Sequence, residues 1–332
     1  MKIKIITMLC FIFICVANLN AQKDADKMIN QFNAKRQKEG LWVEDAKYFT
    51  YYTNFRNGKS NGVFYSINKS NNSLSQFGEL TNGEYSGTFY MFSDDGHLMY
   101  VCKDFTPNSD YIPRSSIIPK TKCYCIIYYP NGSLENEGYL LFSNSPIVDG
   151  FGYGEWKYYD EKGNLKESYC DSIKKENINK SKKEFDGKVN LLNTKGQKEG
   201  LWIEDNTNYK GYTYFHKGKP NGIFYCIKKW NNSLIWFGED PNGEYSGTYY
   251  MFDDDGHLMY ICKNFKPNKS SISLSTTIPE SKCYCINYYP NGYVESEGIL
   301  LFSDSPVVDS FEYGEWKYYD ENGNFKETKV FK

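Results

Sequence analysis

Along most of the chain apolar and polar positions alternate with a period of two, and short turn-forming clusters interrupt the alternation. The stretch Gly87-Thr88-Phe89…Phe92…Gly96-His97-Leu98 is representative: a glycine, an aromatic two positions on, a second aromatic, a glycine turn and a leucine. Period two places one set of side chains on one side of a pleated strand. Asp95-Gly96, Asn131-Gly132 and Lys162-Gly163 supply residues that tolerate positive φ, as tight hairpin turns require. Gly154-Glu155-Trp156…Tyr159…Gly163-Asn164-Leu165 repeats the pattern, and Gly62-Val63-Phe64…Ile67…Asn72-Ser73-Leu74 carries it with one extra residue. Cys123-Tyr124-Cys125…Tyr128…Gly132-Ser133-Leu134 puts cysteine in the glycine and aromatic slots, and Gly40-Leu41-Trp42 opens the series. Each unit reads as strand, turn, strand. A lone hairpin is marginal in water, so neighbouring units must stack to bury their aromatic faces.

A second, longer period runs over the first. Lys38-Glu39-Gly40-Leu41-Trp42 recurs at an offset of 160 as Lys198-Glu199-Gly200-Leu201-Trp202, and Gly154 to Tyr159 recurs as Gly314 to Tyr319. Without a gap, about 86 of the 132 positions in 38–169 are identical in 198–329. This is a tandem duplication. The pattern predicts an all-β protein: an elongated, antiparallel, single-layer sheet of stacked β-hairpins, duplicated, of about 20 strands. The repeat positions are Gly40, Trp42, Gly62, Phe64, Gly87, Phe89, Gly154 and Trp156, with Gly200, Trp202, Gly222, Phe224, Gly247, Tyr249, Gly314 and Trp316 as their counterparts. The chain divides into a leader (1–21), a polar segment with helical spacing (22–37), copy 1 (38–169), a charged linker (170–192) and copy 2 (193–332). Met28, Ile29 and Phe32 suggest a short helix in the polar segment, and Phe185 with 189–192 suggests partial helix in the linker. Whether the sheet continues across the linker is left open by the pattern.

The string G-x-W-x-Y-Y-D-x-x-G-x-L at 154–165 and 314–325, with Tyr-Tyr-Pro-Asn-Gly at 128–132 and 288–292, resembles the MORN repeat variant of many bacterial proteins. The resemblance covers most of 38–169 and 198–329. It implies an elongated sheet of hairpins and no defined catalytic residues. Some bacterial relatives are described as antitoxin components, and some eukaryotic ones as lipid-binding or scaffolding proteins. A Pro/Ser-rich insertion at 103–122 and 263–282 departs from the simple repeat.

The N-terminus changes the picture of where such a protein works. Met1-Lys2-Ile3-Lys4 is basic, Ile5 to Ala17 is apolar, and Leu19-Asn20-Ala21 offers a cleavage site. This reads as a secretory signal peptide; the run is too short to span a bilayer comfortably. The expectation is an exported protein (periplasm, cell surface or secreted) beginning near Gln22, with no transmembrane segment in the mature chain. Export argues against a cytosolic antitoxin.

Charge excludes a generally basic nucleic-acid binder: Lys+Arg is 39 against Asp+Glu 41, and the arginines are Arg36, Arg56 and Arg114. Sparse arginine likewise argues against reading anionic lipid. Of ten cysteines, Cys10 and Cys15 fall in the leader, and Cys102/Cys262, Cys123/Cys283 and Cys125/Cys285 obey the 160 offset. Cys170 and Cys226 stand opposite Val330 and Ser66. Export permits disulfides, so Cys102 is expected to bridge to Cys123 or Cys125 across the insertion, and Cys262 likewise. Buried free thiols are the alternative, and a His97/Cys102/Cys123/Cys125 metal set is a remoter one without known zinc spacing.

Enzyme motifs are missing from the sequence: there is no Gly-x-Ser-x-Gly, phosphate loop or His-Glu-x-x-His. His97 and His257 follow hairpin glycines and read as solvated turn residues. Asp253-Asp254-Asp255-Gly256 resembles a calcium loop faintly but has Asn264 where a bidentate Glu belongs. Glu84, Glu155, Glu244 and Glu315 read as solvated strand starts rather than glycosidase carboxylates. No catalytic residue, cofactor or metal is expected. The first functional expectation is a scaffold binding another protein at the cell envelope, through the copy-variable insertions 106–121 and 266–281. The second is a glycan-binding module stacking exposed Tyr and Trp on sugar rings, which outward-facing Trp156, Trp316, Trp230 or Trp236 would favour.

Overall fold

The computed structural model describes residues 29–108, 119–174, 189–240, 247–268, 279, 281–303, 306 and 310–332. The leader, most of the linker and Glu244 lie outside these residues, as do 109–118, 269–278 and 280 of the contact loops expected at 106–121 and 266–281.

The chain forms two antiparallel sheets of 11 strands, each wound in strict sequence order. Copy 1 contributes β1 (Gln31–Phe32), β2 (Lys38–Asp45), β3 (Phe49–Arg56), β4 (Lys59–Asn68), β5 (Ser73–Thr81), β6 (Glu84–Phe92), β7 (Leu98–Pro107), β8 (Thr121–Tyr128), β9 (Leu134–Phe142), β10 (Phe151–Tyr159) and β11 (Leu165–Lys174). Copy 2 contributes β12 (Leu191–Leu192), β13 (Lys198–Asp205), β14 (Tyr209–His216), β15 (Lys219–Lys228), β16 (Leu234–Asp240), β17 (Tyr249–Phe252), β18 (Leu258–Pro267), β19 (Ser281–Tyr288), β20 (Val294–Phe302), β21 (Phe311–Tyr319) and β22 (Phe325–Phe331). The all-β hairpin architecture and its duplication are as the alternation predicts.

The described part of the polar segment is not helical. Asn30 and Arg36 adopt positive φ (57° and 59°), the Asn30 side chain pairs with the backbone of Val43, and β1 caps β2. Phe32 meets the Trp42 ring edge-on at 5.0 Å. Copy 2 repeats this cap with Asn190 and β12, so Leu191–Leu192 is a strand where partial helix was expected. The structural repeat therefore begins at the caps, upstream of the 38 and 193 boundaries.

The repeat glycine is a bend. Gly62, Gly87 and Gly154 have φ of 109°, 63° and 74°. Each lies where the ladder slips: Thr53↔Phe64 is followed by Phe55↔Ser60, Phe77↔Tyr90 by Glu79↔Ser86, and Tyr153↔Tyr139 by Trp156↔Gly138. A bulge at a left-handed glycine kinks the strand and adds twist. The aromatic two positions on then points into the concavity. The curl is measurable: Tyr85 on β6 and Phe142 on β9 have ring centroids 5.8 Å apart. Three strand spacings in a flat sheet would separate them by about 14 Å.

Each sheet thus buries aromatics on both faces. The concave face of copy 1 holds Phe64, Phe89, Tyr100, Cys102, Cys123, Cys125, Leu140, Phe142 and Trp156, and copy 2 has the corresponding core around Trp316. The opposite faces of β2–β7 and β13–β18 pack against each other in one core shared by both copies. So the sheet does not continue across the linker; the two copies lie face to face.

Candidate functional site

The contact between the copies is self-complementary. Phe77 and Phe237, duplicates of one another, stack with centroids 4.0 Å apart and planes 15° from parallel. Around them the central contacts have mates at the 160 offset, whereas Leu98 N–H to Tyr214 Oη (2.7 Å) and Lys210 Nζ to the Asn71 carbonyl (2.9 Å) are made on one side alone, Asn54 and Thr50 standing at the positions equivalent to Tyr214 and Lys210. Tyr90 Oη donates to Glu239 Oε1 at 2.6 Å and Tyr250 Oη to Glu79 Oε1 at 2.5 Å. Tyr65 Oη donates to the Gly256 carbonyl and Tyr225 Oη to that of Gly96, at 3.3 and 3.2 Å. Tyr52 donates to the Asn231 and Asn232 carbonyls, and Tyr212 to that of Asn72. This is isologous geometry within one chain. Burial raises the hydroxyl pKa of Tyr52, Tyr65, Tyr90, Tyr212, Tyr225 and Tyr250, and the neighbouring carboxylates reinforce it at Tyr90 and Tyr250. All six remain donors.

The histidines were expected in solvent, and they are buried: His97 and His257 are each 2% exposed. Their turns pack under the other copy. A side chain at Gly96 would strike Tyr212 and Tyr225, and one at Gly256 would strike Tyr65 and Tyr52. His257 Nδ1 lies 3.0 Å from Asp253 Oδ2, while Asp253 Oδ1 accepts the N–H groups of Asp255 and His257. Asp253, Asp255 and His257 bring three ligand atoms within 4.8 Å of one another. The Asp253 carboxylate is already taken up by these bonds, so the group works as a closed turn. Burial pushes the Asp253 carboxyl up, but hydrogen bonds and charge from His257 outweigh this and leave it below the usual range.

Copy 2 departs from copy 1 next to this turn. Lys228 replaces Asn68; it is 4% exposed, donates to the Asp253 carbonyl at 2.6 Å and pairs with Asp254 Oδ1 at 2.9 Å. Trp230 replaces Ser70 and is 60% exposed. Its neighbours in type fare differently: Trp156, Trp236 and Trp316 are 5%, 8% and 1% exposed. Trp156 and Trp316 lie across Gly138 and Gly298, where an added Cβ would come within 2.5 Å of the indole. Trp42 and Trp202 are half-buried and donate to the Gln31 and Leu191 carbonyls of the caps. Of the four tryptophans that could have formed an outward row, only Trp230 faces solvent.

Other expected positions fall as follows. Glu84, Glu155 and Glu315 are exposed. Cys102, Cys123, Cys125, Cys262, Cys283 and Cys285 are buried free thiols. An open cleft of 270 Å³ lies where the copies meet at Arg56, Tyr293, Glu297 and Tyr319. The Arg56 guanidinium covers the Tyr293 ring at 4.2 Å. Glu297 accepts from Tyr319 at 2.7 Å and from Tyr284 at 2.8 Å; burial, then that bond, pushes the Tyr284 hydroxyl to about 12. The positions at the 160 offset from Arg56 and Tyr293 are His216 and Ser133, so this arginine–tyrosine pair is not duplicated.

Among the described residues β22 is the last strand of its sheet, pairs with β21 alone, and is exposed at six of its seven residues, including Phe325 (59%) and Val330 (62%). Alternation located this strand but could not mark it as an edge.

No protein-family model and no curated protein matches the chain. Among solved structures, "Crystal Structure of TcdB2-TccC3-Cdc42" aligns with 90% of this chain at 10% identity and a TM-score of 0.20, and the chain spans 15% of that structure's length. No helix among the described residues is long and apolar enough to cross a membrane.

Proposed function

We propose that the chain is an exported, non-enzymatic, MORN-like repeat protein that acts as a protein-binding scaffold at the cell envelope. The observation that carries this reading is the edge strand β22. A strand with a free row of N–H and C=O groups is a template on which an extended segment of another protein can add. Phe325 and Val330, opposite Tyr319 and Glu315 in the ladder, supply exposed apolar contacts on one face of that edge. The leader read in residues 1–21 supports export, and the MORN-like strings at 154–165 and 314–325 support a scaffolding role by resemblance.

The test is capture from detergent-solubilised envelope by residues 22–332, with mass-spectrometric readout, beside the double variant Phe325→Lys/Val330→Lys. A single saturable protein partner, lost in the variant, is the expected outcome. A partner held equally by both proteins overturns the edge as contact site, and no protein partner overturns the scaffold. A second reading, glycan binding, is favoured by Trp230, an exposed indole beside the Lys228–Asp254 pair. Binding on a polysaccharide array that disappears in Trp230→Ser would put it first.

A further inference from the structure

We infer that each copy carries one oxidisable thiol pair, Cys102 with Cys125 and Cys262 with Cys285, and that Cys123 and Cys283 stay outside it. Cys102 and Cys125 are direct partners across β7 and β8, with Sγ atoms 3.3 Å apart. Cys262 and Cys285 are direct partners across β18 and β19, with Sγ atoms 3.6 Å apart. Directly opposed residues in an antiparallel pair have Cα atoms about 4.5 or 5.5 Å apart. Both values fall inside the roughly 4.4–6.8 Å that a disulfide spans. Cys123 is diagonal to Cys102, a relation that sets Cα atoms about 7–8 Å apart. The ladder beside Cys123 is also broken between Lys103 and Thr106, where Asp104 takes a φ of 57°, and the same break with Asn264 (58°) flanks Cys283. Cys123 and Cys125 stand two positions apart on one strand, so their side chains run parallel rather than toward each other.

The surroundings support a structural bond. All six thiols lie in the concave cores, at most 2% exposed. The pairs join the strands that flank the Pro/Ser-rich insertion, so a bridge would close residues 103–124 in copy 1 and 263–284 in copy 2. The oxidant is a disulfide donor, either a small-molecule disulfide or an oxidised dithiol oxidoreductase. One cysteine, as thiolate, attacks the donor and releases a donor thiolate. Its partner then attacks the mixed disulfide and releases the second. The pair gives up two protons and two electrons, and the donor is reduced to two thiols. Hydrogen bonds that the Cys102 thiol makes to the Cys123 and Cys125 sulfurs, with burial, hold it protonated in the finished fold. The exchange therefore belongs to folding, while the β7–β8 hairpin is still open to the donor.

The test is a peptide map. Residues 22–332 are folded in a glutathione redox buffer, quenched and denatured so that free thiols alkylate, and the chain is digested without reduction. Expected are Cys102–Cys125 and Cys262–Cys285 linked peptides, alkylated Cys123 and Cys283, and an intact mass four hydrogens below the reduced chain. Cys123→Ala should keep both links, and Cys125→Ala should remove the copy 1 link alone. A Cys102–Cys123 or Cys262–Cys283 peptide overturns the assignment. So does a folded, oxidised chain in which all six thiols alkylate.

Discussion

The face between the copies and the row of side chains just behind it obey different rules. On the shared face Phe77, Tyr90, Glu79 and Tyr65 have identical counterparts in Phe237, Tyr250, Glu239 and Tyr225, and each meets the other copy in mirrored fashion. On the concave side the same strands have diverged together. Tyr51, Ser66 and Gln76 are cross-strand neighbours on β3, β4 and β5. Their counterparts on β14, β15 and β16 are Gly211, Cys226 and Trp236. A large ring on one flank of the row has been exchanged for a larger one on the other. On the shared face identity between the copies therefore goes with mutual packing, while the differences in this concave row are coordinated and local. That is a reason not to read shared residues as a functional site.

The widest test of the shared face is alkaline titration. Burial raises the pKa of Tyr52, Tyr65, Tyr90, Tyr212, Tyr225 and Tyr250 above that of a free tyrosine. Such groups contribute stability that is fully present below the unfolded value near 10 and is lost as pH rises toward the folded values. The fold should hold to about pH 10 and then unfold cooperatively, with tyrosinate absorbance rising in the same step as loss of β-sheet circular dichroism. Gradual ionisation of these tyrosines in an intact fold would break the picture of a dry, mutual interface.

Next in size, Phe77→Ala should cost about 3–5 kcal/mol in urea unfolding, because it opens a cavity at the centre of the interface. Phe237→Ala should cost the same, and the pair less than the sum, since each removes the same stacked contact. Additive losses would mean that the rings pack independently. The smallest effect sharpens the divergent row. Gly211→Tyr alone should destabilise by about 1–3 kcal/mol through overpacking against Trp236, and adding Trp236→Gln should restore most of that stability. No rescue would mean the two changes are unrelated.

Much of the fold is legible in the sequence because strand alternation and glycine turns are local signals. The glycine of the Gly-x-aromatic unit is visible as punctuation, but its role as a bulge that curls the sheet depends on partners on the next strand. Which face meets which was not readable. In β4 every residue from Val63 to Asn68 is buried, so period two has no polar side to report. The same blindness misplaced His97 and His257, whose turns look solvent-facing until the other copy is laid over them. The caps β1 and β12 were missed because their strand residues differ, Gln31–Phe32 against Leu191–Leu192, although Asn30, Asn33, Lys35 and Gln37 around them recur as Asn190, Asn193, Lys195 and Gln197. For the candidate sites, sequence narrowed the thiol pairing to two choices, and register separates them. Edge status of β22 is a property of topology and leaves no mark in composition.

The stacked pair Phe77 and Phe237 has a consequence for how such a molecule can change. Two separate, identical subunits meeting across an axis would receive every substitution twice, once on each side, and a change at the axis would have to be compatible with itself. Joined in one chain, the two positions can change one at a time. The linker thereby allows one sheet to adapt while the other keeps the shape it must fit. Trp230, Lys228 and Trp236, present in copy 2 alone, are changes of that one-sided kind.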